Sequence, residues 1–149
     1  MKLNEEGADM IKYILAAVVL FAFIQIIPYG KDHTNPKVVK EVKWDSPQTK
    51  KLFYRACGDC HSNITKWPWY SKVAPVSWLV ASDVQEGRDH LNVSIWGLQR
   101  KNKGNEAAKA LKEGDMPPWI FTINHPEARL SNSEKQILIR GLEKTFGKK

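Results

Sequence analysis

The apolar positions of this chain form one long uninterrupted run near the N-terminus and shorter periodic segments after it. The run extends from Tyr13 to Ile27 and contains no charged side chain. It approaches the length that a helix needs to cross a bilayer. A cleaved signal peptide is the alternative, but the run ends without a small-residue cleavage pattern and acidic residues precede it. The pattern predicts an uncleaved transmembrane helix, with residues 1–29 as the membrane anchor.

Beyond the anchor, the periodic segments carry the start and stop signals of α-helices. Serine is a good N-cap, proline is favoured at the first helical position, and glycine commonly follows the last. A Ser-x-x-Glu sequence is a capping box. These signals predict four helices: one opening at Ser46-Pro47, one over Val76–His90, one over Glu106–Lys112 that Gly114 ends, and one opening at Ser131.

Every regular segment predicted beyond the anchor is a helix, and we expect an all-α fold. Gly30 to Asp45 is rich in lysine, and Pro28 and Pro36 punctuate it. We therefore expect residues 30–45 to be an extended tether and residues 46–149 to be one helical domain. Gly141 lies beside the apolar stripe of the last helix, where it would let another helix approach closely.

The first predicted domain helix leads into Cys57-Gly58-Asp59-Cys60-His61, a C-x-x-C-H sequence. This pattern is the attachment signature of c-type haem, in which Cys57 and Cys60 bind the vinyl groups and His61 ligates the iron. The alternatives are a thioredoxin-type pair, half of a zinc site or a plain disulfide. A thioredoxin-type pair requires a βαβ context and a zinc site requires a second pair of ligands, and the sequence shows neither pattern. The motif predicts one covalently attached haem c.

Met116 is the best candidate for the second axial ligand. It is the only methionine beyond the first ten residues, and Pro117 and Pro118 stiffen the chain after it. A methionine sulfur opposite a histidine suits electron transfer. The rival ligands are histidines, namely His33 in the tether, His90 at a helix end and His125 in a loop.

The surroundings of the haem are predicted less directly. Residues 62–78 fit no regular element and are dense in large rings, which we expect to pack on the porphyrin or in the core: Trp67, Trp69, Tyr70 and Trp78. Arg88 is a candidate partner for a haem propionate, because a guanidinium matches a carboxylate bidentately. The second ring nitrogen of His61 needs an acceptor, which we expect in the loop around Pro75.

The formal net charge is +7, and the segment up to residue 30 holds more acidic than basic side chains. A basic surface favours an acidic redox partner or the membrane surface, and it is equally typical of ordinary solubility charge. No nucleic-acid-binding motif is present. More lysines follow the apolar run than precede it, which by the positive-inside tendency favours a cytoplasmic domain. Haem attachment takes place outside the bacterial inner membrane, so we expect the domain in the periplasm.

The chain resembles class I c-type cytochromes, and more closely the small haem-binding-domain cytochromes of bacterial cell envelopes. The resemblance covers residues 45–146. It implies a compact helical fold with crossing N- and C-terminal helices, thioethers at Cys57 and Cys60, and His61 and Met116 as axial ligands. The strings that carry it are C-x-x-C-H-S at 57–62, T-x-W-P-W-Y-S at 65–71, A-P-V-S-W-L at 74–79, G-R at 87–88, L-N-x-S-x-W at 91–96, M-P-P at 116–118 and H-P-x-A-x-L-S at 125–131.

The function expected from these features is that of a membrane-anchored, monohaem electron carrier with no enzymatic activity. Two alternative functions are compatible with the same residues. One is a haem sensor, small-ligand binder or weak peroxidase in which Met116 leaves the iron. The other is a fixed haem subunit of a respiratory or photosynthetic complex. The electron donor and acceptor are not indicated by any residue.

Overall fold

The structure is a computed structural model that describes residues 2–147. In this range it is all-helical, with no strand and one isolated bridge between Lys40 and Ile95. Its contacts divide it into two units. The α-helices are α1 (Lys2–Ile24), α2 (Pro47–Ala56), α3 (Gly58–His61), α4 (Val76–His90), α5 (Gly104–Glu113), α6 (Trp119–Asn124) and α7 (Asn132–Phe146), with short 3₁₀ helices at Trp69–Lys72 and Pro126–Ala128.

The first unit comprises the chain up to His33 together with Pro68–Ser82. Its α1 is long and apolar enough over Gly7–Ile24 to cross a membrane. The helix ends at Ile24, earlier than the apolar run does. Three successive i to i−3 hydrogen bonds then tighten the chain, the last from the amide of Ile27 to the carbonyl of Ile24. Pro28 explains this end, because a proline disfavours helical backbone in the residue before it.

The Trp-rich segment is more regular than predicted. It contains the 3₁₀ helix Trp69–Lys72 and, from Val76, the first turn of α4. The expectation that its large rings pack on the porphyrin or in the core is wrong for Trp69, which is 79 % exposed.

The second unit comprises Thr34–Trp67 and the chain from Asp83 onwards. Residues 34–45 form no helix and no strand, and they pack against the rest of this unit. The amide of Val42 donates to the carbonyl of Val93, and the amide of Trp96 donates to the carbonyl of Lys40. Val42 is buried in the core of this unit. This part of the predicted tether therefore contributes to the packing of the unit.

The helix signals of the second unit are confirmed. The Ser46 side chain accepts a hydrogen bond from the amide of Thr49, Gly114 ends α5 with a φ of 89°, and Ser131 and Glu134 form the capping box of α7. The apolar faces of these helices meet in one core. Its buried members include Leu52 and Phe53 of α2, Ala108 and Leu111 of α5, and Leu138 and Leu142 of α7.

The predicted close approach at Gly141 is also present, between α7 and α2. A Cβ atom on Gly141 would lie 2.0 Å from Thr49 Oγ1 and 2.6 Å from Thr49 Cγ2. Thr49 is itself buried, so its side chain has no room to move away. The crossing of the first and last domain helices therefore depends on a glycine.

We expect Gly141→Ala to lower the free energy of unfolding by about 1–3 kcal/mol, because overpacking outweighs the better helix propensity of alanine. Chemical denaturation monitored by circular dichroism measures this loss. The double variant Gly141→Ala, Thr49→Ala removes the two nearest atoms and should recover part of it. Equal stabilities of Gly141→Ala and the unsubstituted protein would show that the two helices can separate without cost.

Candidate functional site

The C-x-x-C-H sequence forms a single tight turn at the end of α2. Cys57 follows the helix, and its amide donates to the carbonyl of Phe53 over 2.7 Å. The carbonyl of Cys57 then accepts from the amide of His61 over 3.0 Å, which closes α3. The Ser62 hydroxyl donates back to the carbonyl of Gly58 over 2.6 Å. This geometry holds two thiols and an imidazole within one helical turn.

Two cavities open beside this turn, with volumes of about 220 and 180 Å³. Both belong to the second unit. Cys60, Gly87 and Phe121 line the first, while Phe53, Leu111 and Leu142 line the second. They adjoin, because the same four residues line both: Cys57, His61, His90 and Met116. The site therefore has an imidazole and a thioether along the boundary between two mostly apolar spaces.

The imidazole of His61 is held in one orientation by α4. Its Nδ1 lies 2.9 Å from the carbonyl oxygen of Gly87 and 3.0 Å from that of Leu91. A ring nitrogen between two carbonyls must donate, so the proton is on Nδ1 and the lone pair is on Nε2. Burial lowers the pKa of His61, although the two carbonyls partly oppose that shift. The neutral imidazole required of a metal ligand is thus favoured.

The acceptor for His61 was expected in the loop around Pro75, and that expectation is wrong. The carbonyls come from the other end of α4. Gly87 has a second role that sequence reasoning missed, since a Cβ there would lie 2.6 Å from the carbonyl oxygen of Cys60. A glycine within a helix is the available signal, because it marks a close approach of another segment.

The surroundings of the two cysteines favour the thiol over the thiolate. Burial raises the pKa of Cys57 and that of Cys60 to about 12 each. A thioredoxin-type cysteine acts as a thiolate and needs a lowered pKa. Both cysteines instead line a largely apolar cavity. This environment argues against the redox-pair alternative.

Met116 reaches both cavities from the loop after α5. The amides of Gly114, Asp115 and Met116 all point to the carbonyl of Ala110, at 3.1, 3.0 and 3.3 Å. This convergence fixes the turn that carries the methionine. The side chain is 37 % exposed, so the thioether is at the edge of the site and is not packed as core filler.

Of the three rival histidines, only His90 lines the cavities. His33 belongs to the first unit, where its Nε2 lies 3.0 Å from the carbonyl of Ser71. The His125 ring stacks on Phe121 at a centroid distance of 4.2 Å, and its Nδ1 lies 3.1 Å from Glu127 Oε1. These placements favour Met116 over His33 and His125 as the group opposite His61.

The sequence profile of a family described as a haem-binding domain matches residues 19–144. The chain belongs to this family. Haem is therefore its cofactor, and its recognition as a small haem-binding protein is confirmed. Comparisons with curated proteins and with solved structures gave no match.

The residues around the two cavities fit a haem. The apolar lining suits a porphyrin, His61 offers a neutral Nε2, and Met116 offers a soft thioether at the same boundary. Two protonated thiols lie on the same helical turn as the imidazole. The first cavity also has a charged rim of Asp83 and Glu86. Burial raises the pKa of Asp83, and the charge of Glu86 adds to that shift.

Arg88 belongs to the packing of the haem-binding domain and does not line either cavity. Its Nε donates to the carbonyl of Ser62 over 2.9 Å. One terminal nitrogen donates to Asn35 Oδ1 over 3.0 Å and to Thr65 Oγ1 over 2.9 Å. The guanidinium thus connects three separate segments, which contain Asn35, Ser62 and Thr65. Its predicted role as a propionate partner stays a prediction.

We expect Arg88→Lys to lower the free energy of unfolding by about 1–3 kcal/mol, because an ammonium cannot reproduce the fork of hydrogen bonds. Urea denaturation of the oxidised protein measures this. The exposed Arg100 provides the matched control, and Arg100→Lys should be neutral. A changed haem reduction potential with unchanged stability would instead indicate that Arg88 binds a propionate.

Trp67 is the one ring of the predicted haem shield that belongs to the second unit, and it lines neither cavity. The shielding role of Trp69, Tyr70 and Trp78 stays a prediction. Phe53 and Phe121 are the phenylalanines that line the cavities, and neither is predicted from the sequence as a cavity residue. Phe121 follows the Met-Pro-Pro loop by three residues, which is the signal that could have identified it.

Proposed function

We propose that this haem-binding domain is a c-type cytochrome of class I with a single covalent haem. Cys57 and Cys60 would each add an S–H across one vinyl group and form a thioether. The raised pKa of both thiols is compatible with this outcome, because a thioether sulfur carries no charge. The C-x-x-C-H sequence at the edge of an apolar cleft is the feature that supports covalent attachment.

We further propose that the protein carries single electrons and catalyses no bond chemistry. Haem supplies an iron that alternates between ferrous and ferric states. His61, through Nε2, and Met116, through its sulfur, are the residues that would hold the iron. The observation that carries the proposal is that His61 and Met116 line the same two adjoining cavities. Two protein ligands would limit the rearrangement that accompanies electron transfer and would leave no open position for a substrate.

The anchor determines where this electron transfer would take place. A single-pass α1 in the bacterial inner membrane, with the haem on the periplasmic side, places the carrier beside membrane-bound partners. Confinement to the membrane plane raises its effective concentration near such partners. The net charge of +7 favours acidic partner proteins.

A combined redox and ligand-binding experiment tests the carrier function. The full-length protein, reconstituted in phospholipid vesicles, is titrated through one reduction cycle while its absorption spectrum is recorded. We expect one reversible one-electron transition, a low-spin spectrum in both states and no change on adding carbon monoxide. A high-spin resting spectrum that shifts with carbon monoxide would contradict the carrier function.

One observation favours a second candidate, a haem sensor or small-ligand binder. Met116 lies on a loop and more than a third of its side chain is exposed, so its dissociation would need no rearrangement of the core. In that case the ferrous protein would bind carbon monoxide with release of the methionine sulfur. The same titration in the presence of carbon monoxide distinguishes the two candidates.

A further inference from the structure

An exposed apolar surface is present in the unit that contains the end of α1. Its side chains come from the 3₁₀ helix and the start of α4. Trp69 is 79 % exposed and Leu79 is 61 % exposed, and Val73 and Val76 are exposed as well. We call these four residues the apolar surface.

Side-chain hydrogen bonds tie the segment carrying this surface to the chain that leaves α1. The Gln25 amide nitrogen donates to the carbonyl of Ala74 over 2.9 Å, and the Gln25 amide oxygen accepts from the amide of Ala74 over 3.0 Å. His33 Nε2 lies 3.0 Å from the carbonyl of Ser71. Gln25, the residue directly after the candidate membrane helix, is thereby joined to Ala74, in the middle of the segment that carries the apolar surface.

The spacing of buried residues explains which side of this segment is exposed. Ser71, Ala74 and Ser77 recur every third position and are completely buried. Gly30 packs against this row with a φ of 75°, and a Cβ on it would lie 2.5 Å from the carbonyl oxygen of Ser77. The small residues therefore allow close contact with the chain after α1. The large apolar side chains occupy the positions between and beyond the row.

In residues 25–33 and 68–82 of this unit, the two lysines Lys31 and Lys72 outnumber the one acidic residue, Asp32. Lys72 is the only charged residue in 68–82, and it is exposed. Lys31 donates to the carbonyl of Gln25 at the end of α1. Tyr29 is 52 % exposed and carries a polar hydroxyl on an apolar ring. Tryptophan and tyrosine prefer the interface between hydrocarbon and water, and lysines there attract anionic lipid headgroups.

We propose that the apolar surface rests in the interfacial layer of the bilayer that α1 crosses. Its occupant is phospholipid: the headgroup region and the upper acyl chains, with a preference for anionic lipid at Lys31 and Lys72. The inference rests on the proposed membrane anchoring. It follows from continuity, because Gln25 joins the end of a membrane-spanning helix to a segment whose exposed side is apolar. Residues 69–79 are then a membrane contact of the protein.

Lipid crosslinking in vesicles tests the proposal. The full-length holoprotein is reconstituted in phosphatidylcholine vesicles containing phosphatidylglycerol and a phospholipid with a photoreactive diazirine in its upper acyl chain. After illumination, mass spectrometry locates the lipid adducts. We expect adducts in α1 and in residues 68–82. Trp69→Asp with Leu79→Asp should reduce the adducts in 68–82 several-fold and leave those in α1 unchanged.

Val39 provides a matched control, because it is an apolar residue with 67 % exposure in the other unit. Val39→Asp should change neither set of adducts. Adducts in α1 without adducts in 68–82 would overturn the proposal while leaving the anchor in place. Adducts in neither segment would overturn both. Adducts in 68–82 alone would support the surface and contradict the anchor.

Discussion

Replacing Met116 by alanine is expected to convert the ferric haem from a low-spin to a predominantly high-spin state. Met116 lines both cavities, as His61 does, and alanine has no atom that could ligate an iron. The weak far-red absorption band of methionine–iron ligation should disappear. The reduction potential should fall, because the methionine ligand raises it. Absorption spectroscopy and potentiometric titration of the purified variant measure these changes.

Met10→Ala is the matched control for this substitution. Met10 lies in α1 and is 59 % exposed, so its loss should leave the haem spectrum unchanged. An unchanged spectrum in Met116→Ala would show that another side chain is the sixth ligand. His90 would then be the first candidate, because it is the other histidine that lines both cavities.

Replacing Gly87 by alanine is expected to have the second large effect. The added Cβ would lie 2.6 Å from the carbonyl oxygen and 2.8 Å from the Cβ of Cys60. Both atoms belong to the turn formed by the C-x-x-C-H sequence, so the clash cannot be relieved by rotating a flexible side chain. The carbonyl of Gly87 also holds Nδ1 of His61. We expect a loss of about 1–3 kcal/mol in the free energy of unfolding, together with a reduced yield of haem-loaded protein.

Gln85→Ala is the control on the same helix, because Gln85 is exposed and alanine favours helix at this position. Its stability and haem content should equal those of the unsubstituted protein. Equal haem content and stability in Gly87→Ala would show that α4 can move away from the attachment turn. The account of how His61 is oriented would then be wrong.

The parts of this fold that the sequence predicted are those with local causes. Ser46, Gly114 and Ser131 act on the neighbouring backbone through caps and through positive φ, so their effect is readable from a few residues. Val76–His90 was predicted with its observed bounds, since its helical face and polar ends are continuous. The all-helical class and the N-terminal apolar helix follow from the same local signals.

The parts that the sequence did not predict depend on contacts between distant segments. The acceptors of His61 are the carbonyls of Gly87 and Leu91, 26 and 30 residues away, and no local pattern pairs them with His61. The exposure of Trp69 contradicts the general burial of tryptophan, and its segment is held by hydrogen bonds to Gln25 near the end of α1. Arg88 has the side chain expected of a propionate partner. Its guanidinium instead donates hydrogen bonds to three protein oxygens from separate segments.

The mass of the denatured protein tests the central claim most directly, because only a covalent haem survives unfolding. The full-length protein, produced in bacteria that attach haem c, is unfolded in acidic organic solvent and weighed by mass spectrometry. We predict the mass of the chain plus one haem, and the mass of the chain alone when Cys57 and Cys60 are both replaced by alanine. Release of the haem from the unsubstituted protein on denaturation would contradict covalent attachment at Cys57 and Cys60.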